Sequence, residues 1–244
     1  KKAGPNPLPG GTGHLRRRQT AGRGRRGHDW ETPQDEAVAT SMILYPDIPP
    51  EHLPGLTLLA AVAVRRAISG LYGLEGQIKW PNDVVLKNKK ICGILTEMST
   101  EEDAIRYVVP GIGINVNATE FPEEIRDKAT SLKLELGRSV KRSDVICAVA
   151  ESFEEYYEIF EKTCDMSGLL SAYDEMLVNM EKTVCVLDPK GEYRGKALGI
   201  DEEGCLFSRK GEWGSRSCSF RGSICKRDLR ICVRKTVWGQ SAFL

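Results

Sequence analysis

Short strands joined by tight turns, grouped apart from a few long helical stretches, predict an α+β chain that ends in a small β unit. Three observations carry this. Apolar residues at helical spacing (Leu56, Leu59, Ala60, Ala63, Val64, Ala67) predict a helix over 53–71. Strand patterns follow at 77–80, 84–86, 90–98 and 105–115, with Lys87-Asn88-Lys89 as a hairpin turn. After Glu181 the pattern becomes short strands punctuated by glycine, at 183–187, 195–200 and 204–207.

Taken in order, residues 1–18 are rich in Gly and Pro, end in Arg16-Arg17-Arg18, and match no regular element. Residues 19–33 hold the run Gly22-Arg23-Gly24-Arg25-Arg26-Gly27 and close at Pro33. A strand is expected over 37–45, before the turn prolines Pro46, Pro49 and Pro50. Gly70 and Gly73 end the first helix. Ser143 is the expected N-cap of a second helix reaching about Lys162, and a third is expected over 166–180.

Composition narrows function less than the motifs do. Lys and Arg number 35 against 34 Asp and Glu, so net charge argues for neither nucleic acid nor a membrane surface. The apolar runs read as too short for a transmembrane span, and no secretory leader is expected. The eight cysteines contain no Cys-x-x-Cys pair, and Cys92, Cys147 and Cys164 lie in apolar patterns. They read as buried, reduced thiols of a cytoplasmic protein. Cys218, Cys225 and Cys232 lack ligand partners at zinc spacing, so no metal site is expected.

The Gly/Arg run formally fits Gly-x-Gly-x-x-Gly, but His28-Asp29-Trp30-Glu31-Thr32-Pro33 is a poor helix start. A dinucleotide fold needs a helix N-terminus there to hold pyrophosphate. Bare glycines and forked guanidiniums instead suit a loop closing over an anion. Lys79-Trp80-Pro81-Asn82-Asp83 ends a strand and turns it; Lys90 opens the next; Gly111-Ile112-Gly113-Ile114-Asn115-Val116-Asn117 puts glycines where a ligand can approach the backbone.

Gln19–Trp30, Lys79–Asp83, the segment Lys-x-x-Gly-Ile-Leu-x-Glu from Lys90 to Glu97, and Gly113–Asn117 occur in one order and spacing. Together they closely resemble the biotin–protein ligases, over about residues 19 to 207. The resemblance implies a catalytic domain built on a mixed β-sheet with helices packed on it, followed by a small SH3-like β-barrel. It also implies two-step chemistry. Biotin and ATP give biotinyl-5′-AMP, and biotin is then passed to a lysine of a biotin carboxyl carrier protein or domain.

The resemblance further implies catalytic roles for Lys90, Arg25 and Asp83. Biotin contacts fall to Gln19, Gly22, Arg23, Arg25, Lys90 and Gly93. Adenylate contacts fall to Arg23, Arg25, Arg26, Trp30, Asn82, Gly113 and Asn115. Mg²⁺ is expected to travel with ATP, and a homodimer is a family expectation. A lipoate–protein ligase is the neighbouring enzyme reading, and an inactive ligand-binding remnant is the alternative without catalysis.

Both ends depart from the family pattern. No serine precedes Ser41, although relatives carry a Ser-Thr-Asn turn early. Residues 219–233 can be back-translated so that a one-base slip reads AFEEVSVRGIYGYV, the family ending. Residues 9–18 similarly permit PEGQVIFVA. The expected division is therefore 1–18 as a frame-shifted segment, 19–180 as the catalytic domain, and 181–244 as a small β domain that is aberrant and poorly packed after about residue 208. No helix-turn-helix module precedes the motifs, so the monofunctional type is expected.

Overall fold

A computed structural model describes residues 10–16, 19–23, 29–32, 35–101, 104–188, 191–210, 217–220 and 232–234. The strands before the first helix are β1 (Gly13–Arg16), β2 (Gln19–Arg23), β3 (Asp29–Thr32) and β4 (Ala37–Met42). Helix α1 (Pro54–Tyr72) is followed by β5 (Gln77–Lys79), β6 (Asp83–Leu86), β7 (Lys89–Glu101) and β8 (Ala104–Asn115). Helices α2 (Leu132–Leu136), α3 (Arg142–Thr163) and α4 (Leu170–Met176) come next. The chain then forms β9 (Thr183–Asp188), β10 (Gly191–Ile200), β11 (Leu206–Lys210), β12 (Ser217–Phe220) and β13 (Cys232–Arg234).

Six strands form one sheet in the order β1-β4-β8-β7-β6-β5. The sequence led us to expect a mixed sheet here, and this is corrected: every pairing among these six strands is antiparallel. The reason is local, since β5 to β8 are joined by short hairpins that leave no room for a crossover. Parallel pairing touches this sheet only as the isolated bridges Ile78–Leu177 and Lys90–Ala129 among the described residues. The second sheet is the mixed one. Its order is β12-β11-β10-β9-β13, with β13 parallel to β9.

Helix α1 lies across β5 to β8, and α3 packs on α1 and β4. With its lead-in turn, α1 (Pro50–Tyr72) is long and apolar enough to cross a membrane, against the expectation from sequence. Its surroundings explain the composition: Leu56, Leu58, Leu59, Ala60, Ala61, Val62, Ala63 and Val64 are all buried in the protein core. A helix apolar on nearly every side is one enclosed by other elements. On α3, Val145, Val149, Phe153 and Phe160 form the buried stripe.

Three local expectations change. The N-cap of α3 is Lys141 without a side-chain bond, and Ser143 instead bonds Asp144. The third helix is shorter than 166–180: a 3-10 turn (Ser167–Leu169) leads into α4, and Leu177 leaves the helix to bridge Ile78. Helix α2 was not anticipated; Ser131 caps it by accepting from the Leu134 N–H at 3.2 Å. Of the apolar-pattern cysteines, Cys92 is buried but Cys147 is exposed.

Residues 13–16, where the sequence matched no regular element, form strand β1, the outer edge of the six-stranded sheet, with all four side chains exposed. The expected packing defect after about residue 208 falls almost wholly outside the described residues.

Candidate active site

Sheet register assembles the site. Residues directly opposite in antiparallel strands share a face. Asp83 on β6 lies opposite Gly93 on β7, Gly93 opposite Gly113 on β8, and Gly113 opposite Ala39 on β4. This cross-strand row carries one carboxylate and then three positions with little or no side chain. The other face belongs to the core: Cys92, Ile94, Ile112 and Ile114 are buried there with α1, and Thr57 on α1 donates to Thr96 on β7 at 2.7 Å.

Lys90 reaches the row because β7 contains a bulge. Val84 pairs with Cys92 but Val85 pairs with Lys90, so Ile91 is the extra residue. Without it, Lys90 would face the apolar core; with it, Lys90 shares the face of Val85 and Asp83. The Lys90 Nζ lies 2.6 Å from Asp83 Oδ1, with both side chains partly exposed. That oxygen is buried yet accepts no well-angled hydrogen bond. We read the contact as a close ion pair with poor hydrogen-bond alignment, because the charges touch whatever the angle. The Coulomb attraction survives such misalignment, while the directional part is lost.

Three polar side chains brace the segments around this pair. Asn82 is a bracket: its Nδ2 donates to the Ile94 carbonyl at 3.2 Å, and the Ile94 N–H donates to the Asn82 carbonyl at 2.9 Å. Asn115, two residues beyond Gly113, is buried and donates from Nδ2 to the Thr130 carbonyl at 3.1 Å. Trp80 is buried, and its Nε1–H donates to the Gly204 carbonyl at 3.0 Å. The Lys79–Asp83 turn is thereby tied to the second sheet. Burial raises the Cys92 thiol well above its ordinary range, Lys90 partly opposing and Asp83 reinforcing the shift. Cys92 is therefore a core thiol under the site and no nucleophile.

Among the residues named from sequence, Asp83, Lys90, Gly93 and Gly113 are brought together, with Asn82 and Asn115 alongside. Gln19, Gly22 and Arg23 lie on β2 and Trp30 on β3, with Gly22 opposite Trp30 and Arg23 opposite Asp29. For Gln19, Arg23 and Trp30 the description stops at the strand backbone, and Arg25 and Arg26 lie outside the described residues. The β2–β3 pair rests against β4 through β3.

Sequence reading missed residues 128–131. The Lys90 N–H donates to the Lys128 carbonyl at 2.7 Å, and the Thr130 N–H donates to the Lys90 carbonyl at 2.9 Å. Thr130 Oγ1 donates to Glu135 Oε1 at 2.6 Å, and Glu135 also pairs with Lys87 at 2.9 Å. Burial pushes the Glu135 carboxyl up, but Thr130, Lys87 and Lys89 outweigh it and leave it below the usual range. Only the bare string Ala129-Thr130-Ser131-Leu132 stood in the sequence, with no period or motif to mark it. Among the described residues no group of three His, Cys, Asp or Glu is placed to hold a metal ion.

The chain is similar to known proteins in sequence and in fold. The family model for the biotin/lipoate A/B protein ligase family matches residues 4–115, reaching further toward the N-terminus than the motifs did. The bifunctional ligase/repressor BirA of Bacillus subtilis is 41% identical over 209 residues, covering 85% of this chain and 64% of that protein. This chain thus spans a little under two thirds of the length of that relative. The biotin–[acetyl-CoA-carboxylase] ligase of Paracoccus denitrificans is 29% identical over 207 residues, covering 83% of this chain and 85% of that protein. Among solved structures, the biotin protein ligase from Aquifex aeolicus in complex with biotin and ATP superposes with a TM-score of 0.77 at 30% identity. That match covers 87% of this chain and 88% of the other. By its motifs, its sheet register and these likenesses, the chain belongs to the biotin/lipoate A/B protein ligase family, on its biotin–protein ligase side.

Proposed function

We propose that this chain is a biotin–protein ligase that activates biotin with ATP and transfers it to a lysine of a biotin carboxyl carrier domain. The observation that carries the reading is the bulge-directed Lys90 beside Asp83 at the end of the Gly93–Gly113 row. A flat, side-chain-poor floor ending in a cation suits a ligand whose reacting carboxylate must meet positive charge.

In the first step a biotin carboxylate oxygen attacks the ATP α-phosphorus. The bond to the bridging oxygen breaks, and pyrophosphate leaves with the charge. Lys90 and Arg25, aided by Arg23 and Arg26, stabilise the developing negative charge, which is where fixed cations lower a barrier most. In the second step the carrier amine attacks the carboxyl carbon of the mixed anhydride and AMP departs. Asp83 accepts the proton that the amine loses or orients the amine for attack. Gln19, Gly22 and Gly93 face biotin in this reading, while Trp30, Asn82, Gly113 and Asn115 serve the adenylate. The Gly/Arg loop closes over the intermediate and excludes water. ATP would bring its own Mg²⁺, bound to its phosphates, to neutralise charge there.

The proposal extends to a catalytic domain over 19–180 and an SH3-like fold for the C-terminal β unit. It also includes a homodimer, a cytoplasmic location, and ends altered by frame slips that resequencing the DNA would reveal. Purified chain should catalyse ATP–pyrophosphate exchange that depends on biotin and not on lipoate, and should label a carrier domain. Exchange supported by lipoate alone, or labelling absent from a folded sample, overturns the reading.

A further inference from the structure

We infer that Thr130 is a positioning residue for Lys90, acting through a strap, residues 128–131, that locks the bulge in β7. The inference rests on the functional reading above for its kinetic consequence and on geometry alone for its structural one.

A β-bulge turns a side chain at the cost of local ladder pairing. Here the two main-chain groups of Lys90 are satisfied from outside β6, by the Lys128 carbonyl and the Thr130 N–H. Lys90 and Ala129 accordingly form an isolated parallel bridge. The strap itself is fixed on its other side. Thr130 and Ser131 are buried; Ser131 Oγ donates to the Ala118 carbonyl at 2.6 Å and accepts the Leu134 N–H of α2. Every polar group of Thr130 is spent on this unit. Its N–H holds the Lys90 carbonyl, its carbonyl accepts from Asn115, and its hydroxyl donates to Glu135, which in turn pairs with Lys87 in the β6–β7 turn.

One residue thus joins the strand that aims Lys90, the strand that carries Gly113 and Asn115, and the turn between β6 and β7. The hydroxyl is the only side-chain link of Thr130 among these. Removing it leaves the shape of the site intact but frees the strap from Glu135, and the bulge loses its brace. Small displacements of a group that meets a transition state cost rate more than binding.

The test uses the full chain with Thr130→Val and Thr130→Ser. Thr130→Val keeps volume and loses the hydroxyl; Thr130→Ser keeps the hydroxyl. Thr130→Val should lower kcat of biotin-dependent exchange about tenfold with KM for biotin and ATP within about twofold, and Thr130→Ser should restore kcat to within about twofold of wild type. Amide exchange supplies a readout that needs no activity. The Lys90 and Thr130 N–H groups should lose protection in Thr130→Val while Ile94 keeps it. Unchanged kcat in folded Thr130→Val, equal losses in both variants, or unchanged Lys90 protection overturns the inference. Wild-type chain without exchange activity overturns the functional reading instead, and the amide protection then decides the strap by itself.

Discussion

Replacing Lys90 with alanine separates the chemical from the structural worth of the ion pair. At 2.6 Å and an effective dielectric of about 20, two unit charges attract by about 6 kcal/mol before desolvation and ordering are counted. Both side chains keep partial contact with solvent, 35% for Lys90 and 23% for Asp83, and the hydrogen-bond angle is poor. The net stabilisation should therefore be about 1 kcal/mol. For a chain of this length that is a Tm loss of about 2–4 °C. A lost transition-state donor costs much more, about 10²–10³ in rate or about 2.7–4 kcal/mol. Lys90→Ala should thus lose pyrophosphate exchange by that factor while remaining folded, and Asp83→Asn should destabilise by a similar ~1 kcal/mol. Exchange kinetics and thermal unfolding on the same samples read both numbers. Exchange within about threefold of wild type would remove Lys90 from the chemistry. A Tm loss above about 10 °C would show that the pair is structural and that the rate loss is only unfolding.

Other expectations concern the junction between the two sheets. Trp80→Phe removes the donor to the Gly204 carbonyl and should cost about 1–3 kcal/mol in urea unfolding; no change would mean the carbonyl finds another partner. Gly199 has φ 120, and a Cβ there would clash with Asp174 Oδ2, so Gly199→Ala should destabilise by about 2–4 kcal/mol. Gly70 is an exposed helical position with open space around it, so Gly70→Ala should stabilise by about 0.5–1 kcal/mol; the opposite order of the two variants refutes the packing argument. Burial raises the Asp174 carboxyl above its ordinary range, partly opposed by the Ile200 N–H it accepts. The folded state then holds the proton more tightly than the unfolded one. Stability from this group is present below the ordinary carboxylate value and falls as pH rises through the raised one. Asp174→Asn keeps an acceptor for Ile200 and should flatten the stability–pH curve above about pH 4; an unchanged slope in urea titrations at several pH values refutes this.

What the sequence made legible is what repeats or punctuates. The apolar spacing of α1 and the turn at Lys87–Asn88, both at positive φ, located the helix and the hairpin that carries Lys90. The Lys79–Asp83 and Gly111–Asn115 runs pointed to residues that the sheet places near one another. The bulge at Ile91 was not legible, because a one-residue slip leaves no mark on an apolar–polar string. The strap was hidden for a related reason. Its bonds to Lys90 join residues about forty positions apart, and Thr130 and Ser131 look like ordinary loop residues until their partners are known. Helix α4 was overextended because Leu177 and Val178 continue its apolar pattern but serve the bridge to Ile78.

The indole–carbonyl bond between Trp80 and Gly204 spans 124 positions in the chain. A ribosome adding residues at about 5–20 per second needs about 6–25 s to cover that distance. Throughout that interval the nascent first sheet has its Lys79–Asp83 turn without its partner carbonyl. Leu58, which lies against Gly204 in the finished protein, waits uncovered for the same interval. Until residue 204 has been made, the Trp80 indole has no Gly204 carbonyl to donate to, so the order of synthesis makes this junction between the two sheets one of the last parts of the site to close.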